Sequence, residues 1–239
     1  MAERAKRPDE YMPSRAKRSS PLGTTVFIGL RFADIAVQYY LLNGGASRLV
    51  SAIGGKTVTL ANSPFAKVLL GLSAVGSFKQ IYWLASVSEN EMPIGQAFSI
   101  ALFNTAVNSI FSFLASWGVT SLASSHPGVL SQTSVLEVLL KEPILGSAVA
   151  LFLVGISLET ISEVQRRDFK ADPKNKGKPY GGGLFRLARH VNYSGYLLWR
   201  TANYLAAAGI VPAVVSFIFF FYNFAGSSIP SLDKVSLKY

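Results

Sequence analysis

The residues best suited to chemistry in this chain lie between Glu159 and Trp199. Glu159 and Glu163 are four residues apart, so on a helix their carboxylates share one face. A basic segment, three glycines and a polar cluster follow; they comprise Arg166, Arg167, Lys170, Lys174, Lys176, Lys178, Gly181, Gly182, Gly183, Arg186, Arg189, His190, Asn192 and Tyr193. Arginine binds phosphate in a bidentate geometry and lysine acts as a point charge. The pattern, beside apolar sequence, predicts a site that holds a polyanion at a membrane surface.

Several common site classes do not fit this stretch. The glycines are not followed by Lys-Ser or Lys-Thr, so they are not a P-loop, and they lack the G-x-G-x-x-G spacing of a Rossmann fold. The chain has no cysteine and only two histidines, His126 and His190, which excludes thiolate chemistry and a histidine-rich metal site. We therefore expect no metal centre.

The elements that position these residues are apolar helices. Half of the 239 residues are hydrophobic and only 15% are charged, whereas soluble domains average about a quarter charged. The apolar runs predict spans over residues 24–42, 64–87, 94–117 and 142–159, followed by one or two helices within residues 193–226. The predicted fold class is all-α: a polytopic membrane bundle of about five to seven transmembrane helices, with the basic loop as a cytosolic cofactor-binding loop.

Two basic stretches give the predicted orientation. Residues 1–21 are polar and basic and are predicted to be a disordered cytosolic tail, followed by one membrane domain over residues 22–239 with the motif at 159–199. Four spans separate the tail from the basic loop, so both lie on one side, which the positive-inside rule assigns to the cytosol. A nucleic-acid arm is the alternative for such a tail, but beside a span, topology and lipid contact suffice, and we expect no nucleic-acid partner.

Polar residues also occur inside the predicted spans. Arg31 and Asp34 are an i, i+3 pair that either neutralises itself or serves function. Asn104 and Asn108 are one turn apart and are predicted to join helices through their amides. His126, beside a proline, is interpreted as an ordinary loop histidine.

The motif resembles a known family. The spacings E-x-x-x-E-x-Q-x-x-x-F and G-L-F-x-x-x-R-H-x-N-Y-x-G run from Glu159 to Gly195 and resemble the C-terminal half of steroid 5α-reductases, closest to the uncharacterised membrane branch of that superfamily. Isoprenylcysteine methyltransferases carry a related R-H-x-x-Y-x-G turn. This chain differs at Val191, where many relatives have proline, and at Tyr196, where many have an acid.

The resemblance implies an NADPH-dependent oxidoreductase that acts on a CH–CH group of a lipophilic, sterol- or lipid-like unsaturated substrate. It implies membrane lipids as surroundings and, for a eukaryotic chain, the endoplasmic reticulum. The residues implied to bind NADPH are Glu159, Glu163, Arg167, Lys170, Arg189, His190, Asn192, Tyr193 and Gly195. No catalytic residue is carried over, because the family's substrate-polarising residues belong to N-terminal helices that do not align here.

Two alternatives stay open. One is methyl transfer from S-adenosylmethionine, as in the isoprenylcysteine class. The other is a non-catalytic membrane protein that retains the fold, which Tyr196 favours. For Asn192 itself the alternative is structural, because asparagine is a favoured N-cap and a helix is predicted to begin near Tyr193.

Overall fold

The computed structural model describes residues 19–230, apart from the side chain of Ser227, so most of the predicted tail lies outside the described residues. The described helices are α1 Pro21–Tyr40, α2 Ala46–Ala52, α3 Pro64–Tyr82, α4 Ile94–Ser116, α5 Leu122–Ser125, α6 Gly128–Ser131, α7 Val135–Lys141, α8 Pro143–Ala171, α9 Val191–Ala208 and α10 Ile210–Asn223. Short π-helical turns at Leu41–Gly45, Trp83–Val87 and Phe224–Ser228 follow α1, α3 and α10.

The starts of three long helices follow from proline. Pro21, Pro64 and Pro143 each occupy the first turn of α1, α3 and α8, where a missing N–H leaves no helical hydrogen bond unmade. At α3 the hydroxyl of Ser63 also accepts a hydrogen bond from the Ala66 amide at 3.0 Å. The second predicted span, Pro64–Val87, is therefore confirmed at both ends.

The predicted all-α membrane architecture is confirmed. Four described helical segments are long and apolar enough to cross a membrane: Pro21–Ala52, Pro64–Val87, Ile94–Ser116 and Pro143–Ala171. The C-terminal apolar stretch forms two helices rather than one. Gly209, with a φ of 79°, separates α9 from α10, and α10 folds back so that Phe220 and Phe224 contact Tyr196 of α9.

One predicted helix end was confirmed and another was wrong. The Asn43-Gly44-Gly45 segment interrupts the first helix where predicted: α1 ends at Tyr40, the backbone of Asn43 and Gly44 is non-helical, with a φ of 116° at Gly44, and helical geometry resumes in α2. The fourth span does not stop near Glu159, since α8 runs on to Ala171. This extension keeps both motif carboxylates on a rigid helix.

Four spans were predicted to return the chain to the side on which it starts, and the contacts at the two ends of the bundle agree with this. At one end, here called the motif end, the Ser20 hydroxyl accepts from the Met92 amide at 2.6 Å and Arg167 donates to the Ser86 carbonyl at 2.9 Å. At the opposite end, the far end, residues 43–63 meet the end of α4; Val58 N, for example, donates to the Ser116 carbonyl at 2.9 Å. The start of α1 and the end of α8 therefore lie on one side.

α8 and α9 form the most extensive helix pair. They cross at Gly155 and Gly195, where an added Cβ on Gly195 would lie 2.5 Å from the Glu159 backbone nitrogen and 2.7 Å from the Gly155 carbonyl oxygen. Small residues permit such close approach of membrane helices. This crossing sets the geometry of the side chains on both sides of it.

Candidate functional site

The centre of the candidate site is a contact between Glu163 of α8 and Asn192 of α9. The Asn192 amide donates to Glu163 Oε1 at 3.2 Å, and both residues are buried, with 7% and 9% of their surface exposed. Glu163 Oε1 also accepts from Arg166 at 3.3 Å, whereas the buried Oε2 has no hydrogen-bond partner. A buried carboxylate oxygen without a donor is costly, so a ligand hydroxyl or ammonium would stabilise it.

This contact tests the alternative in which Asn192 only caps the helix that follows it. α9 begins at Val191 with His190 as its N-cap residue, so Asn192 lies inside the first turn and is not the cap. Its side chain reaches across to α8 instead of to its own backbone. The capping interpretation was therefore wrong.

Glu159 lies one turn deeper along α8 and is held by protein groups. Lys79 of α3 donates to Oε1 and the indole of Trp199 donates to Oε2 at 2.6 Å. Lys79 thus bridges to a buried acid instead of extending to the membrane surface. Both Glu159 oxygens have protein partners, so this residue ties α3, α8 and α9 together beneath the Glu163–Asn192 contact.

The arginines of α8 are paired within the protein. Arg166 contacts Glu163, and its guanidinium lies 5.8 Å from the ring centroid of Phe185. Arg167 donates to Asp168 Oδ1 at 2.7 and 2.8 Å and to the Ser86 carbonyl. Each of these two cations is therefore compensated by a carboxylate.

The glycine segment places the basic loop against α8. Gly183 has a φ of 51°, and an added Cβ would lie 2.2 Å from Gln165 Oε1. That same oxygen accepts from the Leu184 amide at 2.9 Å. Tyr180 fills the space beneath, with ring centroids 4.9 Å from Phe169 and 5.6 Å from Phe185. The loop is thus anchored by one amide oxygen and a small aromatic cluster.

The remaining predicted site residues lie at the end of α8 and around the start of α9. Lys170 is in the last turn of α8, and Arg189 and His190 immediately precede α9. The Tyr193 ring lies 5.8 Å from His190 and 4.7 Å from Phe224. Their assignment to a cofactor, like that of Glu159, Glu163, Arg167, Asn192 and Gly195, stays a prediction.

Sequence reasoning missed the extent of a second buried group, here called the Arg200 cluster: Arg31, Asp34, Gln80, Asn104, Asn108, Tyr196 and Arg200. The predicted Arg31–Asp34 pair is confirmed at 3.0 Å. Asn108 joins two of the charges, donating to Asp34 Oδ2 at 2.7 Å and accepting from Arg200 at 2.7 Å. Both asparagines therefore join helices, as predicted. The signal available in the sequence was the arginine inside the apolar run of α9.

Tyr196, at the position where many relatives have an acid, belongs to this cluster. Its hydroxyl accepts from Arg200 Nε at 3.1 Å, and its ring packs edge-on against Trp199 and Phe220. The Arg200 guanidinium also lies 4.2 Å from the Trp199 ring centroid. The tyrosine thus directs its oxygen to a guanidinium.

A separate cleft of about 380 Å³ opens at the far end, between the segment after α4 and the α9–α10 turn. His126 lines it and its Nδ1 lies 3.0 Å from the Ser125 hydroxyl. The cleft is mostly apolar and lies at the other end of α9 from Asn192. It is not part of the motif site.

Comparison with known proteins identifies the family of this chain and one similar protein. A family model described as "protein of unknown function (DUF1295)" matches residues 97–239, which include most of α4 and all of α5 to α10. The chain is also similar to a protein of Ustilaginoidea virens named "Probable O-methyltransferase ustE", with 31% identity over 96% of this chain and 83% of that protein. No solved structure matches.

Proposed function

We propose, from the premise that this chain belongs to the DUF1295 family, that it is an integral-membrane methyltransferase that uses S-adenosylmethionine to methylate an oxygen of a lipophilic acceptor. The observation that carries the proposal is the similarity, along nearly the whole chain, to a protein named as a probable O-methyltransferase. This was the alternative of the sequence interpretation, and it now has more support than the reductase.

The Glu163–Asn192 contact suits such a donor. When bound, S-adenosylmethionine supplies an electrophilic methyl carbon: the acceptor oxygen forms the new O–C bond while the C–S bond breaks, and its electron pair stays on sulfur. Glu163 Oε2, which has no partner, would accept from a ribose hydroxyl or the donor's ammonium group. Asn192 holds the other carboxylate oxygen and so fixes the direction of Oε2.

The charges around Glu163 also favour S-adenosylmethionine over NADPH. A dinucleotide such as NADPH brings several phosphate charges, which arginines usually bind as bidentate partners. In α8, Arg166 and Arg167 are already paired with Glu163 and Asp168. S-adenosylmethionine carries an ammonium, a sulfonium and one carboxylate, so its net charge is positive and it needs fewer protein cations than a dinucleotide does.

The NADPH-dependent reductase remains the second candidate. The observation that favours it is the motif itself, whose Glu159 to Gly195 spacing resembles steroid 5α-reductases. The lysines and arginines of the loop at residues 174–189 would then offset the phosphates. The two candidates use the same place in the fold, so a binding measurement separates them.

The test is ligand binding to the protein purified in a neutral detergent. We expect S-adenosylmethionine to bind and NADPH to bind at least tenfold more weakly. Glu163→Gln should weaken S-adenosylmethionine binding by roughly 10- to 100-fold, because a hydrogen bond to a charged group contributes about 1.5–3 kcal/mol. Glu137→Gln, the same substitution in α7 at the far end of the bundle, is the matched control and should leave the affinity for S-adenosylmethionine unchanged.

Three results would count against the proposal. Binding of NADPH alone would identify the reductase, and binding of neither ligand would favour a non-catalytic protein. Unchanged affinity in a folded Glu163→Gln variant would remove Glu163 from the donor site.

A further inference from the structure

The Arg200 cluster carries an unbalanced charge inside the bundle. Arg31, Asp34 and Arg200 are each only 1% exposed, and they contribute two positive charges and one negative charge. The Arg200 guanidinium donates to Asn104, Asn108 and Tyr196, all of them neutral. Among the described residues, no carboxylate lies within ion-pair distance of Arg200.

Asp34 does not supply the missing charge. Its Oδ2 already accepts from Arg31 at 3.0 Å, Ser77 at 3.2 Å and Asn108 at 2.7 Å, and its Oδ1 accepts from Gln38 at 2.9 Å. Asn108 stands between Asp34 and Arg200. The surplus charge therefore stays on the side of Arg200, where α4 and α9 meet.

One further atom of the cluster points to an anion. Arg31 Nε is buried and has no hydrogen-bond partner in the structure, and its N–H can only donate. Gln80 Oε1 is also buried without a partner, but it is an acceptor and does not favour an anion. Charged groups at membrane depth are expensive and mark functional sites unless they are fully paired. A cluster with surplus positive charge and an unmade N–H hydrogen bond is suited to an anion.

We propose that the Arg200 cluster binds the anionic oxygen of a lipophilic acceptor, a carboxylate or a phenolate. Tyr196 is partly exposed, as is Gln80, and it lies between Arg200 and the rings of Phe220 and Phe224. This inference names the acceptor class for the proposed methyl transfer and rests on that function. An acceptor already ionised at Arg200 has no proton to lose, so the transfer at this site needs no general base.

The position of Arg200 suits an acceptor that binds deeper in the membrane than the methyl donor. Arg200 follows Asn192 by eight residues on α9, which corresponds to about 12 Å along the helix axis. The donor would then lie at the motif end and the acceptor at membrane depth, where lipophilic molecules dissolve.

The experiment measures acceptor binding without any methyl donor, so it is separate from the test of methyl transfer. The probes are oleate with oleyl alcohol as its neutral match, and a hydrophobic alkyl-nitrophenol with its methyl ether. In non-ionic detergent, above the pKa of each acid, we expect at least one anion to bind roughly 10- to 100-fold tighter than its neutral match. The pair that shows the preference distinguishes a carboxylate from a phenolate.

Variants assign the preference to Arg200. Arg200→Gln should abolish it, Arg200→Lys should retain most of it, and Arg48→Gln, an exposed far-end arginine, is the matched control. If Arg200→Gln does not fold, a pH titration of wild-type binding replaces it, because nitrophenol affinity must rise as the phenol ionises. Equal affinities of the wild type for anion and neutral match, or a folded Arg200→Gln variant with the preference intact, would overturn the proposal. An anion preference without S-adenosylmethionine binding would instead reject methyl transfer and keep the anion site.

Discussion

Replacing Gly195 with alanine tests whether the α8–α9 crossing holds the candidate site together. The added Cβ would lie 2.5 Å from the Glu159 backbone nitrogen and 2.7 Å from the Gly155 carbonyl oxygen. Both neighbours are backbone atoms that cannot rotate away. The helices would have to separate by roughly 1 Å to restore normal contact distances.

The magnitude follows from the two opposing effects of the methyl group. Overpacking of a tight interface costs about 1–3 kcal/mol, while alanine favours a helix over glycine by roughly 0.5–1 kcal/mol. The net cost is therefore about 0–2.5 kcal/mol, and in a chain of this size we expect the melting temperature of Gly195→Ala to fall by up to about 10 °C. The Asn192–Glu163 hydrogen bond lies one turn away and already measures 3.2 Å, so ligand binding should weaken as well.

The matched control is Gly71→Ala on α3, where an added Cβ meets nothing within 4 Å. This variant should be as stable as the wild type or slightly more stable, because only the helix preference acts. Melting can be followed by tryptophan fluorescence or by size exclusion after heating; thiol-reactive dyes have no target, since the chain has no cysteine. If Gly195→Ala melts at or above the temperature of Gly71→Ala, the crossing is not close-packed as described.

Three further predictions concern the site, the far end and the topology. Asn192→Asp should lose both thermal stability and binding of the methyl donor, because a second carboxylate would face Glu163. The Asn192→Asp, Glu163→Gln double variant should regain stability but not donor binding. Melting curves and ligand titrations of both variants would detect these changes. The Thr133 hydroxyl, the Thr133 amide and Lys141 lower the pKa of Glu137 from 4.5 to about 2, so the start of α7 should be stabilised above pH 4.5 and lose that stabilisation as the pH falls toward 2. A carboxyl NMR titration of Glu137 would show this, and Thr133→Val should return its midpoint toward 4.5. Single cysteines at Lys176 and Lys56 should react with impermeant reagents from opposite sides of the membrane, with Lys176 cytosolic; labelling from one common side would contradict the helix order.

The sequence alone predicted the spans because their signals are local. Apolar run length, the prolines at residues 64 and 143 and the basic stretches specified the helical class, most of the spans and the parity of the chain. The spacing of Glu159 and Glu163 correctly predicted a shared helix face. The Arg31–Asp34 pair was also readable, because both residues lie on one turn of one helix.

Tertiary structure decided what the polar residues contact. Lys79 and Glu159 are 80 residues apart, and Asn104 and Arg200 are 96 apart, so no local pattern pairs them. The same holds for Asn192, whose residue type suits a cap as well as a cross-helix donor, until the start of α9 is known. Helix ends inside polar sequence were also decided this way, since packing of α8 on α9 extends α8 beyond its apolar run. The surplus charge at Arg200 emerges only when four helices are assembled, because it is a property of the assembled partners and not of any one segment.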